Sequence, residues 1–388
     1  MQNIFVEGCL LTASLVAQAV DASLGDRSTV FTKCLSECAT NNGCSLNTAR
    51  IEWIFEPCFS CKYDCTWRTV SYFTEVLNEE IPQFYGKWPF IAVRLPLLSF
   101  IPVQELASVV FSIMNLHSSL KMYRAVRLLP ARARMKIVWY SYSLIGIFVW
   151  IASSLFHWAD FWLTEYLDYF AAFAIIVYAF FASISFTVPY LQRTAFGRLI
   201  WLALFAALIL FYFKHIGNLL VHFDYGYNMR CCIAFSLATA FIYTIWMAIE
   251  WHTRTRWQRR SIPFLAVVVF GGLASILLEV HFDYGYNMRC CIAFSLATAF
   301  IYTIWMAIEW HTRTRWQRRS IPFLAVVVFG GLASILLEVF DFVPLFWLVD
   351  AHALFHLATV PLPLYLITFI ELETEYEMNL PAVATKIA

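Results

Sequence analysis

From about residue 98 to residue 370 the chain is a succession of apolar stretches, and this pattern restricts the fold more than any other feature. Each stretch approaches the roughly 20 residues a helix needs to cross a bilayer. In hydrocarbon every backbone N–H and C=O must be satisfied within its own segment, so stretches of this length become helices packed on one another. Spans are expected near 99–119, 137–157, 167–190, 197–214, 231–251, 262–279, 290–310, 321–338 and 344–370. Of the 388 residues, 61% are hydrophobic and 14% charged, which excludes a soluble globular chain. A net charge of +1 gives no reason to expect a nucleic-acid partner.

The loops supply the orientation. Lys121, Arg124, Arg127, Arg132, Arg134 and Lys136 follow the first span, Arg193 and Arg198 the third, and Arg254, Arg256, Arg259 and Arg260 the fifth. The loops between these are not basic. By the positive-inside rule the basic loops are cytosolic, the N-terminal region is lumenal and residues 372–388 form a cytosolic tail.

Two N-terminal segments agree with that orientation. Residues 1–22 hold a short apolar core and small residues at Ala17, Ala19 and Ala22, the pattern of a cleaved signal peptide, although a basic n-region is missing and a signal anchor is the alternative. Residues 23–97 are polar and carry Cys34, Cys38, Cys44, Cys58, Cys61 and Cys65. In an oxidising lumen these suggest three disulfides stapling a small domain, with the pairing left open. Cys58 and Cys61 form a C-x-x-C, so a zinc knuckle or a redox pair is a further reading.

Residues 222–280 recur without a change at 281–339. Repeat architectures normally diverge between copies. Identity over 59 residues therefore points to a very recent exon duplication or to an artefact of gene assembly. Each copy carries two spans, so the chain reads as a seven-helix bundle extended to nine, and every later helix keeps its orientation. Cys231–Cys232 and Cys290–Cys291 are one pair counted twice.

The chemistry is sought among the histidines. His352 and His356 are four residues apart, about 40° around a helix and one turn apart, which suits either metal ligation or ordinary packing and hydrogen bonding. His222, His281, His252 and His311 are duplicated loop or helix-end residues, while His117 and His215 lie near other helix ends. His157, at the lumenal end of the second span, falls at the depth of His352 and His356. Asp168 falls there too, in the first turn of the third span. Ser153 precedes His157 by one turn, whereas Ser154 points elsewhere. Three imidazoles with a fourth position open would make a catalytic rather than a structural zinc site. An aspartate in a span normally faces a partner or a wet cavity. Asp350 is expected to point away from both nearby histidines and to bond a neighbouring helix; Glu105 reads equally as helix packing or as part of the site.

Cys58 to Val70 (CFSCKYDCTWRTV), Gln83 to Phe90 (QFYGKWPF), Gln104 to Val109, Ser153-x-x-x-His157, Leu167 to Phe170, Asp224 to Met229 (DYGYNM) and Asp350 to His356 together resemble the Per-like family of post-GPI attachment to proteins factors. This family sits within a wider group of seven-span hydrolases that includes alkaline ceramidases and adiponectin receptors. The resemblance implies an all-α membrane bundle with a small disulfide-rich lumenal domain, zinc on His157, His352 and His356, and Ser153 and Asp168 as catalytic groups. It further implies removal of the sn-2 acyl chain from the phosphatidylinositol of GPI-anchored proteins, in the Golgi or the endoplasmic reticulum. Leu106, where relatives often carry proline, and the 59-residue repeat depart from the pattern. The rival readings are a seven-span receptor, a haem-binding electron carrier on paired histidines, and a non-catalytic membrane protein.

Overall fold

The computed structural model describes residues 24–48, 50–96, 99–254, 284–337 and 340–379. The expected signal peptide and the expected span at 262–279 lie outside the described residues. Among these residues the fold is helical, with only isolated bridges such as Val93–Val103 and Leu345–Val349.

The N-terminal segment is built on α1 (Thr29–Asn42) and α2 (Cys58–Ser71). Ser28 caps α1 by accepting from the Phe31 N–H, and Gly43 ends it in the left-handed conformation, at φ 70°. The helices are stapled by Cys34–Cys65, Cys38–Cys61 and Cys44–Cys58. The antiparallel nesting of these pairs sends Cys58 and Cys61 to different partners, so the C-x-x-C is neither a redox pair nor a zinc knuckle here. Little apolar mass sits beneath, chiefly Phe31, Trp53 and Phe84, and the covalent links substitute for a larger core.

The bundle follows: α3 (Leu106–Leu128), α4 (Lys136–Trp158), α5 (Trp162–Thr187), α6 (Ala195–Val221), α7 (Tyr225–Arg254), α8 (Tyr284–Thr312), α9 (Ile321–Leu337), α10 (Ala351–Thr359) and α11 (Leu362–Asn379). Five described segments are long and apolar enough to cross a membrane: α4, α5, α6, Tyr225–Trp246 of α7, and Ala351–Asn379. Helix α9 is apolar but shorter. Helix α3 is long but turns polar residues inward: Ser108, Ser112, Asn115, Ser118 and Ser119 are buried, while Val110, Ile113 and Met114 are exposed. That inversion suits a lipid surround, where the apolar side faces out and small polar residues let helices approach closely.

Several helices overrun the expected spans by a turn or two, and two boundaries differ for reasons visible in the backbone. The first helix starts at Leu106 rather than 99, because residues 99–105 are extended and turned and pair with the segment before them through Val93 and Val103. The last span is broken: Val360 N–H bonds back to Leu357 and Pro361 has no N–H to offer, so α10 ends and α11 begins anew, running to Asn379 and into the expected tail.

Candidate metal centre

His157 lies in the last turn of α4, and His352 and His356 occupy successive turns of α10. The Nε2 of His356 is 3.2 Å from that of His157 and 2.9 Å from that of His352. Three ligand nitrogens thus lie within 4.8 Å of one another, with His157 and His356 buried and His352 half-buried.

The surrounding groups fix how these rings face. The Nδ1 of His157 is 2.6 Å from Glu105 Oε2. A carboxylate there holds the proton on Nδ1 and leaves the Nε2 lone pair turned towards the other rings, the usual outer partner of a metal-bound histidine. His356 Nε2 meets two nitrogens and has one proton at most to share. Neutral imidazoles alone therefore leave lone pairs facing one another, a conflict that a shared cation removes. This donor set fits a borderline divalent metal such as zinc.

Glu105 immediately precedes α3, and its backbone N–H bonds the His157 carbonyl at 3.0 Å, so main chain and side chain grip the same residue. Its other oxygen lies 2.8 Å from Lys87 Nζ, which also contacts Asp160 Oδ2 at 2.8 Å and the face of Phe156. Burial alone would lower the Lys87 pKa, but Asp160 and Glu105 push it well above the ordinary lysine range. The Lys87 side chain keeps 34% exposure, so water screens part of that attraction. Lys87 comes from the N-terminal segment, so that segment reaches into the shell behind the histidines.

Ser153 is buried and its Oγ is 3.0 Å from Ser112 Oγ of α3. Asp168 is half-buried in the second turn of α5, one turn deeper than expected because the helix begins at Trp162. Asp350 is the N-cap of α10, accepting from the Ala353 N–H at 2.8 Å. Asn115 of α3 donates to the His356 carbonyl at 2.7 Å. The expected site residues are thus gathered at one end of the bundle. Lys87 and Asp160 are additions that sequence reasoning missed: Asp160 shows only as a charge at the margin of an apolar span, and Lys87 only as one residue of the Gln83 to Phe90 stretch.

A multi-pass helical membrane protein with three convergent histidines and a carboxylate behind one of them defines a membrane-embedded candidate metalloprotein. A profile of the Per1-like family matches residues 48–281 and 251–374, and the chain belongs to that family. The two matches overlap within the duplicated unit. The chain is 29% identical over 385 residues to a mouse GPI-specific phospholipase A2-like PGAP3, covering 95% of this chain and 94% of the relative. It is 30% identical over 382 residues to the cattle counterpart, covering 94% and 95%, and 27% identical over 379 residues to a PER1 homolog of Schizosaccharomyces pombe, covering 95% and 93%. No solved structure matches the chain.

Proposed function

We propose that this chain hydrolyses the sn-2 acyl ester of the phosphatidylinositol that anchors GPI-linked proteins, with zinc held by His157, His352 and His356. The convergence of three Nε2 atoms, with Glu105 on the Nδ1 of His157, carries the reading. The names of the relatives support the substrate class. Orientation by the positive-inside rule puts this end of the bundle on the lumenal side, at the depth where glycerol esters lie beneath the headgroups.

A zinc ion at the three imidazoles supplies Lewis acidity and acidifies water at neutral pH. Asp168 takes a proton from the attacking water and returns it to the departing lyso-lipid oxygen. Ser153 donates to the oxygen that gains charge at the ester carbon. Ser112 supports this: if its hydroxyl donates to Ser153 Oγ, the Ser153 proton is free to point at the substrate. Glu105 keeps the His157 ring in one tautomer, and Lys87 balances the Glu105 charge. The working compartment is the Golgi, with the endoplasmic reticulum as the alternative.

The test is lipid mass spectrometry of GPI-anchored proteins in cells lacking the activity, rescued with this chain, with a chain carrying one copy of the repeat, and with His157→Ala. The first two restore lyso-GPI and the third does not. Restoration by His157→Ala overturns the metal mechanism.

A further inference from the structure

Beside the bundle end that carries the histidines lies a cleft of about 430 Å³ lined by Tyr63, Asp64, Trp67, Ile91 and Trp347. It joins two parts of the chain. Tyr63, Asp64 and Trp67 are on disulfide-linked α2, and Trp347 is in the turn that leads into α10. The rings of Trp67 and Trp347 meet edge to face with centroids 4.9 Å apart, and the Ile91 N–H bonds the Trp347 carbonyl at 3.0 Å.

Three features of this cleft exceed what packing requires. Phe346 and Trp347 have φ of 55° and 61°, within a turn closed by Leu348 N–H to the Leu345 carbonyl. Two bulky residues in the left-handed region are strained, a condition that tends to persist where a side chain is being aimed. The Trp67 Nε1–H is buried and has no hydrogen-bond partner among the described residues. Asp64 sets an exposed carboxylate at the rim.

We propose that this cleft binds carbohydrate, specifically the glycan of the GPI anchor; the assignment of that glycan rests on the function proposed above. A sugar ring has one face of polarised C–H bonds, which seats on the electron-rich face of an aromatic ring, and an edge of hydroxyls that need both donors and acceptors. Tyr63, Trp67 and Trp347 supply aromatic surface and Asp64 an acceptor at the rim. Its carboxylate also favours an amino sugar, whose ammonium carries the opposite charge. Trp347 stands five residues before His352, a span of at most roughly 17 Å of extended chain, so a glycan held here is within reach of a lipid ester at the histidines.

The test is calorimetric titration of the purified full chain in detergent with three soluble probes: a lipid-free mannose–glucosamine GPI core, a high-mannose N-glycan, and inositol phosphate. The GPI core binds, and Trp347→Ala or Asp64→Asn weakens it by about tenfold or more. Leu46→Ser, at an exposed position outside the cleft, leaves binding unchanged. Asp64→Asn alters an exposed side chain and keeps the test meaningful if Trp347→Ala fails to fold. Equal binding of the N-glycan and the GPI core assigns the cleft to the attached protein's sugars and overturns the GPI assignment. No binding of either glycan, or undiminished binding by Asp64→Asn together with a folded Trp347→Ala, overturns the site. Binding needs no catalysis, so its result stands even if the chain releases no acyl group.

Discussion

At the scale of single residues the centre depends on groups that ligate nothing. Lys87 balances Glu105, and Glu105 orients His157. Lys87→Met leaves a buried carboxylate without its cation, and we expect about 10- to 100-fold weaker metal binding, read by competition with a chelator on purified protein. Lys87→Arg, which keeps the charge, recovers most of it. Asp168→Asn separates binding from chemistry: turnover falls by about 10² to 10⁴ with metal content unchanged. The clustering of His157, His352 and His356 was legible because spacing and depth along apolar spans bring them together, whereas the roles of Ser153 and Asp168 rest on the family resemblance. Glu105 was ambiguous since its role comes from a helix start that hydropathy puts some residues too early. Lys87 was not legible, because its segment owes its path to disulfides and turns rather than to a periodic pattern. The role of Asp350 was available in principle: an aspartate before Ala351-His352-Ala353 is an N-cap signature, obscured by extending the helix back to 344.

At the scale of elements, the tandem repeat gives α7 and α8 nearly the same sequence and different neighbours. The N-terminal end of α7 meets its predecessors: Tyr225 bonds Glu165 at 2.7 Å and Asn228 bonds His215 at 2.9 Å. The C-terminal end of α8 meets the last helix, where Arg313 bonds both oxygens of Glu373 at 2.8 and 2.7 Å, contacts Glu309 and stacks on Tyr376. The two sets occupy opposite ends of the repeated helix, so a single copy has the groups for both. This supports the expectation that the one-copy chain is competent. Arg313→Ala leaves Glu309 and Glu373 facing each other without their cation and costs about 3–5 kcal/mol, read as a lower thermal midpoint in detergent. Sequence displayed the repeat at once, but identical copies carry nothing that tells which neighbour each will take.

At the scale of the whole molecule, a disulfide-linked unit is docked over one end of a helical bundle. Besides Lys87, Gln83 and Trp88 bond Asp341, and Trp67 packs on Trp347. Within the unit, burial raises the Glu56 pKa, but hydrogen bonds from Ser60 and Arg94 and the Arg94 charge lower it further, to a net value below the ordinary 4.5. Its contribution is therefore fully present above the ordinary carboxylate range and is lost as pH falls through the lower folded value. Both partners are partly exposed, so the pair contributes at most about 1 kcal/mol. Glu56→Gln should lower the thermal midpoint slightly at neutral pH, with the difference from wild type shrinking and then vanishing in a pH series of melts as the pH falls through the lowered Glu56 value.

The reach of Lys87 from one unit into the other makes the centre a shared property of both. The cation that balances Glu105 behind His157 belongs to the cysteine-stapled unit, so the histidine end of the bundle carries its full set of charges only with that unit seated on it.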